Sequence, residues 1–417
     1  MILIYGKGKT GSSVYKFCER HNINAKLVDD KDFNSDILNK VKEIIVSPGI
    51  PFYHNIFKLA KKNKIPIISD IEFGYRFYKG KIIAITGTDG KTTTSSLIYK
   101  ILKDAKKDVY IGGNYGIPFL EIVEKNNNNS IAVLELSSFQ LYSIKNFKAD
   151  ISLILNIDTD HLDWHKKRKH YILSKLKIIK NQTKDDLLII NSKIKNLIKG
   201  KTCPKTLTVD INKYINENLL KIENIEIDIN NLKLKGKHNL ENIAFAVLTT
   251  LNLGINPEKI KKSVEDFKPI PHRLEFIKNI NGIEIYNDAK STTVHATEKA
   301  IQSFNKKIIL IIGGINKGSD FSILNKYENK IKAFILIGRD KHQIKEQLTS
   351  DKSFIYNTNI FLENTLEDAV KKAFEIAKEN EIVLFSPACA SFDMFKNYID
   401  RGEKFKEIVK KYETSAI

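Results

Sequence analysis

Residues Thr86 to Thr94 read Thr-Gly-Thr-Asp-Gly-Lys-Thr-Thr-Thr, directly after the apolar run Ile82 to Ile85 and directly before the helix-patterned stretch Ser95 to Ala105. A strand that feeds a glycine turn and then opens a helix gathers backbone N–H groups around an anion, and the helix N-terminus adds partial positive charge. Gly87 and Gly90 allow a tight turn and close approach to phosphates, Thr88 and Asp89 span the turn, and Lys91 brings a mobile cation to the terminal phosphate. The hydroxyl of Thr92 or Thr93 can ligate Mg²⁺. The segment therefore predicts binding of a nucleoside triphosphate. A plain strand-to-helix turn is the alternative, and it leaves Lys91 without a purpose.

Working outward, short apolar runs alternate with helical patterns along the chain, as in open parallel α/β sheets. Ile2–Tyr5, Lys26–Val28, Ile44–Val46 and Ile65–Ile68 are strand candidates in the first part. Ile82–Ile85, Ile131–Leu134, Ile151–Leu155 and Leu187–Ile190 follow, then Ile283–Tyr286, Ile308–Ile312, Phe334–Ile337 and Ile382–Phe385. The pattern predicts three successive α/β domains, 1–79, 80–269 and 270–417, with boundaries near Gly80 and Pro269.

The 417 residues carry a formal charge of +19, which invites a nucleic-acid reading. Lysine is spread through nearly every segment instead of clustering, and Asn and Ile are also abundant, as an AT-rich codon bias would produce. No nucleic-acid partner is expected, although anionic small substrates gain from the field. No apolar run approaches the roughly 20 residues of a membrane span, and the N-terminus lacks a signal-peptide pattern, so a soluble cytoplasmic protein is expected. Three widely spaced cysteines, Cys18, Cys203 and Cys389, argue against a disulfide framework or zinc cluster.

The loop's spacing carries more. A standard P-loop would put its first glycine at Ile85, so this is a shorter form, and it resembles the ATP-binding loop of the Mur ligase and folylpolyglutamate synthase superfamily. Leu134-Glu135-Leu136-Ser137-Ser138-Phe139-Gln140-Leu141 resembles a block of the D-glutamate-adding Mur ligases, as does Asn156 to His165 with its Asp160-His161 pair. Tyr171 to Lys175, Gly236 to Asn242, His272-Arg273, Asn287 to Thr292, Gly313 to Gly318 and Ser386 to Phe395 follow in family order.

The resemblance implies a three-domain Mur ligase: a Rossmann-like N-terminal domain, a P-loop ATPase-like central domain and a Rossmann-like C-terminal domain. It implies ATP and two Mg²⁺, with Thr92, Glu135, His161 and a carbamylated Lys175 around the metals. Asn239 and Asn242 would lie at the adenine, Arg273 and Lys290 at the phosphates, and Asp288 at the ribose. Lys9, Thr10, Asp29, Asp30, Ser47, Gly49 and Asn114 would form the UDP-precursor surface. Thr292, Lys317, Ser391, Phe392 and Tyr398 would hold D-glutamate, although the family more often has Leu and Phe at the positions of Phe392 and Tyr398. The implied catalytic set is Lys91, His161, Lys175 and Lys290, joining D-glutamate to UDP-N-acetylmuramoyl-L-alanine through an acyl phosphate in a monomeric enzyme. The rivals are other amino-acid-adding Mur ligases, folylpolyglutamate synthase, and a Rossmann-type redox protein reading Gly6 to Gly11. The last leaves Lys91, Glu135 and His161 unexplained.

Overall fold

The computed structural model describes residues 1–158, 160–199, 204–234, 236–268, 271–316, 318–350 and 359–414. The expected alternation is present. A first sheet consists of β1 (Ile2–Tyr5), β2 (Ala25–Val28), β3 (Glu43–Val46) and β4 (Ile67–Ser69), all parallel in the order β2-β1-β3-β4. Pro66 stands just before β4, where its missing N–H costs no ladder bond.

The second sheet holds β5 (Lys81–Thr86), β6 (Val109–Gly113), β7 (Ile131–Glu135), β8 (Ile151–Ile154), β9 (Leu187–Asn191) and β10 (Lys205–Val209). Its order, β10-β9-β8-β5-β7-β6, is parallel throughout. Its central strands β5, β7 and β8 are almost wholly buried, which is why they read as continuous apolar runs without alternation. Because β7 and β8 flank β5, the segments that leave their C-terminal ends emerge beside the glycine loop that follows β5. A small antiparallel meander, β11 (Ile215–Asn216), β12 (Leu219–Ile222) and β13 (Ile225–Asp228), precedes the helix Lys237–Asn252.

The last sheet contains β14 (Glu275–Ile280), β15 (Ile283–Asn287), β16 (Ile308–Gly313), β17 (Ile331–Ile337), β18 (Asn359–Leu362) and β19 (Ile382–Phe385), ordered β14-β15-β19-β16-β17-β18. Only β14 runs antiparallel, paired with β15. The ends of β15, β19 and β16 are therefore neighbours, and the loops after them share one edge.

The three expected domains meet one difference. The chain divides into two compact units, Met1–Lys233 with Lys237–Phe267, and Lys268–Ile417 with Leu234–Gly236. The sheet does change near Gly80, but the packing does not, because one buried cluster runs from Ile4, Phe17 and Ile68 to Ile82, Phe119 and Leu134. Polar contacts reinforce that seam. Arg20 pairs with Glu124, and the Ser69 N–H donates to the Ser143 carbonyl at 3.3 Å. Glu72, on the short helix after β4, is fully buried. Its carboxylate accepts from the backbone N–H groups of Lys145 (2.8 Å), Asn146 (2.9 Å) and Phe147 (2.9 Å).

Removing that carboxylate would strand three amides in the interior. Glu72→Ala is expected to lower the unfolding free energy by about 3–5 kcal/mol, since each buried donor left unsatisfied costs roughly 1–3 kcal/mol. Urea denaturation checks this, and a loss below about 1 kcal/mol would show that water satisfies the loop equally well.

Candidate active site

Gly90 caps the helix Lys91–Asp104 in a left-handed conformation, φ +81°. A side chain there would be doubly penalised, because a Cβ would lie 2.3 Å from Asn242 Oδ1. Lys91 folds back over the loop, and its Nζ donates to the carbonyls of Gly87 (2.8 Å) and Thr88 (2.7 Å). Lys175 arrives from the helix Arg168–Leu176 and donates to the same Gly87 carbonyl at 2.6 Å. Two ammonium groups thus converge on one oxygen. Lys175 is only 2 % exposed. Burial first, and the Lys91 charge second, push its pKa well below the ordinary lysine range.

The loop is held from the β8 side as well. Asn156 Oδ1 accepts from the N–H groups of Thr88 (3.0 Å) and Asp89 (2.8 Å), and its Nδ2 donates to the Asp89 carbonyl at 3.1 Å. Thr88 Oγ1 accepts from the Asp158 N–H at 2.9 Å and lies 2.9 Å from the Tyr171 hydroxyl. Thr92 and Thr93 are buried in the first helical turn. Asn242 Oδ1 accepts from Thr94 Oγ1 at 3.2 Å, and Asn242 Nδ2 donates to Asn239 Oδ1 at 3.1 Å. A cleft lined by Asp89, Gly90, Leu155, Asn156, His238, Glu241, Asn242 and Phe245 opens beside the loop, a setting that suits a base or ribose next to bound phosphates.

Glu135 ends β7 almost fully buried. One carboxylate oxygen accepts from Asn114 Nδ2 at 2.7 Å, and the other has no hydrogen-bond partner among the described residues. An orphaned anionic oxygen beside a phosphate loop fits a cation. His161 stands apart from this interior, half exposed, at φ +52°, with its ring 4.7 Å from Phe139 and its Nε2 3.4 Å from the Asp160 carboxylate. Among the described residues no three His, Cys, Asp or Glu side chains form a ready-made metal cluster. Mg²⁺ at nucleotide sites takes one or two carboxylates, with waters and phosphate oxygens completing the shell, and Glu135 offers one such carboxylate.

The expected precursor surface is assembled in part. Lys9 opens the helix Lys9–Arg20, with Thr10 next to it, and its Nζ donates to the Gly116 carbonyl at 3.2 Å. Ser47 Oγ donates to the Gly6 carbonyl at 2.9 Å, and Gly49 is exposed. Asp30 accepts from the Tyr5 hydroxyl and lies 3.1 Å from His54 Nε2. Asp29 accepts from the Lys31 N–H at 3.0 Å and so shapes its own turn. Asn114, also expected on this surface, turns its amide to Glu135 and donates to that carboxylate.

In the second unit Ser391 is buried and Thr292 half-buried, while Phe392 is 68 % exposed. Tyr398 begins the helix Tyr398–Thr414, 6.5 Å ring to ring from His272. Lys317 lies outside the described residues. Arg273 and Lys290 are half-buried in loops joined by the Lys290 N–H to His272 carbonyl bond at 3.0 Å. Asp288, expected at the ribose, lies inside the unit. It is only 2 % exposed, Oδ2 accepts from Ser386 Oγ at 2.7 Å, and Oδ1 accepts from the Leu274 N–H at 3.2 Å. Both oxygens are turned inward, where they tie three loops together.

Two family models match the chain, the Mur ligase middle domain over residues 85–250 and the Mur ligase glutamate ligase domain over residues 272–389. A UDP-N-acetylmuramoylalanine–D-glutamate ligase from Aquifex aeolicus is 42 % identical over 98 % of this chain and 98 % of its own length. The chain belongs to the D-glutamate-adding Mur ligase family. A Hydrogenobaculum relative of the same name is also 42 % identical, again with 98 % of both chains covered. The fold agrees: a Thermotoga maritima MurF ligase structure solved with ADP matches at TM-score 0.59 and 17 % identity, over 99 % of this chain and 95 % of that one.

Family resemblance led to Lys175 and Glu135, but three residues of this Mur ligase escaped notice. Asn156 and Tyr171 shape the loop through short polar contacts that periodicity does not register. Arg401 is 1 % exposed, and its Nη2 donates to the carbonyls of Ala289 (2.9 Å) and Cys389 (3.1 Å). Burial lowers its pKa to about 10. The signal was available, since Arg401 shares a helical stripe with the buried Phe405, Ile408 and Val409.

Burial, partly offset by Ser291 and Ser386, raises the Asp288 carboxyl to about 6. A carboxyl with a raised native pKa contributes stability that is full below its unfolded pKa near 4 and lost as pH rises through about 6. Asp288→Asn cannot ionise, so its stability should exceed that of the wild type by roughly 2–3 kcal/mol more at pH 7.5 than at pH 4. Paired thermal melts across pH 4–8 measure the difference, and parallel curves for the two proteins would contradict a neutral buried carboxyl.

Proposed function

We propose that this chain joins D-glutamate to UDP-N-acetylmuramoyl-L-alanine with cleavage of ATP to ADP and phosphate, in the cytoplasm and as a monomer. The convergence of Lys91 and Lys175 on the Gly87 carbonyl, beside the orphaned oxygen of Glu135, is the observation that carries this reading for the phosphate end of the site. Lys91 is a preformed charge for a polyanion, and Lys175 is a buried amine held beside it. The name shared by relatives 42 % identical over nearly the whole chain supports the choice of amino acid.

A carboxylate is a poor acyl donor, so the L-alanine carboxylate first attacks the γ-phosphorus, ADP leaves, and an acyl phosphate results. Lys91 would exchange its two loop carbonyls for phosphate oxygens and offset the repulsion between the two anions. Arg273 and Lys290 are assigned the same task from the second unit. The D-glutamate amine then attacks the acyl carbon, loses a proton and expels phosphate. Mg²⁺ would be held by Glu135, Thr92 and His161, and would supply charge neutralisation on the phosphate oxygens. Lys175 fits carbamylation, because CO₂ adds to a neutral amine with loss of a proton, and burial beside Lys91 favours the neutral form. Asn239 and Asn242 are assigned to the adenine end, the surface around Lys9, Asp30 and Ser47 to the UDP group, and Thr292, Lys317, Ser391, Phe392 and Tyr398 to the carboxylates and stem of D-glutamate.

Lys91→Ala should lower turnover at least about 10²-fold, the usual consequence of losing a preorganised charge contact, while calorimetry finds UDP-precursor binding within a few-fold of the wild type. Near-normal phosphate release by the variant would remove the loop assignment. The amino-acid choice is tested by phosphate release with UDP-N-acetylmuramoyl-L-alanine and a panel of amines. D-glutamate should be used and D-alanine and L-alanine ignored, since a site built to pair two carboxylates rejects analogues that leave its donors unmatched. Efficient use of a neutral or diamino acid would assign the chain to another Mur ligase reaction.

A further inference from the structure

We propose that Asn156 is a positioning residue for nucleotide binding: its side-chain amide splints the Thr88–Asp89 half of the phosphate loop into its receptive conformation before a nucleotide arrives. The inference rests on the nucleotide-loop reading of Thr86 to Thr94.

Three bonds define the splint. Asn156 Oδ1 accepts from two successive amides, Thr88 at 3.0 Å and Asp89 at 2.8 Å, and Nδ2 returns a bond to the Asp89 carbonyl at 3.1 Å. The Asn156 carbonyl also accepts from the Thr88 N–H at 3.0 Å. One carboxamide therefore satisfies the N–H and the C=O of the same loop residue, as a paired strand would. Aspartate lacks the donor and would bring a negative charge against a polyphosphate. Serine is too short to reach both groups.

The position of the clamp within the loop matters as well. Thr88 and Asp89 lie between Gly87 and Gly90, and a loop hinged on glycines at both ends has the greatest conformational freedom to lose when a ligand fixes it. Asn156 meets that cost in advance. It also lines the cleft beside Gly90 and Asn242, so one side chain faces the loop and the adjoining cavity together. The two sides of the loop are held differently: Lys91 grips the Gly87 and Thr88 carbonyls with a charge that a bound polyphosphate would draw away, whereas the amide of Asn156 is neutral and has no reason to let go.

The test uses the full-length protein and its Asn156→Ala, Asn156→Asp and Lys91→Ala variants. ADP affinity is measured by calorimetry, ATP KM and kcat by phosphate release, and hydrogen exchange at the Asp89 amide in the nucleotide-free protein. For Asn156→Ala the expectation is a rise of about tenfold in the ADP Kd and ATP KM, from the ordering of one to two loop residues. The D-glutamate KM should stay within twofold, and protection should be lost at the Asp89 amide but kept at Ile83 in β5. Asn156→Asp retains the acceptor, so it should keep that protection yet bind ADP more weakly, and it carries the test if the alanine variant does not fold. Wild-type ADP affinity and wild-type Asp89 protection in Asn156→Ala, with binding weakened in Lys91→Ala, would overturn the positioning role alone. Wild-type ADP affinity in Lys91→Ala as well would overturn the loop reading on which it rests.

Discussion

Two lysine amino groups share the carbonyl oxygen of Gly87, and much of the first unit is arranged so that they can. Two charges this close would repel, and Lys175, removed from water, is pushed toward the neutral amine. Such an arrangement persists only where the surrounding structure holds it. The parallel order of the second sheet puts β5 between β7 and β8, so the loop, Glu135 and Asn156 emerge side by side. The Asn114 amide fixes one oxygen of Glu135, Tyr171 and Asp158 fix Thr88, and the helix Arg168–Leu176 delivers Lys175 from beneath. The neighbouring anions, Asp160, Glu135 and Asp89, act in the opposite sense to burial and partly compensate it. A polyanion entering this site finds charge already in place, with little reorganisation left to do.

In the second unit the corresponding constraint is a buried one. Arg401 and Asp288 both lie inside, and between them they join the loops that follow β15 and β19 and the turn at Leu274. These are the loops that present Lys290, Thr292 and Ser391. The loops are held by an interior frame of polar contacts, most of them to backbone, which gives each loop a defined course without using the side chains of Lys290, Thr292 or Ser391.

The sequence made the buried strands easy to read. β1 and β19 match the apolar runs residue for residue, and most others differ by one or two residues at an end, because strands covered on both faces must be apolar throughout. What escaped has physical reasons. β6 ends in Gly112 and Gly113 and looks like a turn, β10 carries two threonines and is exposed or half-exposed over its first four residues, and β14 is a half-exposed edge strand. The meander β11 to β13 is too short for its period to stand out. The site was legible where it is made of glycine spacing and charge, as at Gly87, Gly90 and Lys91. It was illegible where a residue's destination depends on which loops become neighbours. Asn114 and Asp288 carry the right chemistry for ligands, and the groups that hold them, Glu135 and the Ser386 loop, come from other segments of the chain. The core that runs across Gly80 was hidden for a similar reason, since a change of sheet is visible in the pattern but a shared core is not.

The carboxylate of Glu72 grips the 145–147 loop entirely through main-chain amides. Every non-proline residue offers the same N–H, so the side chains of Lys145 and Asn146 contribute nothing to that grip and are free to drift. A seam built this way can keep its geometry through long divergence while positions 145 and 146 change almost without restriction, proline excepted, and only Phe147 is also held by its buried side chain.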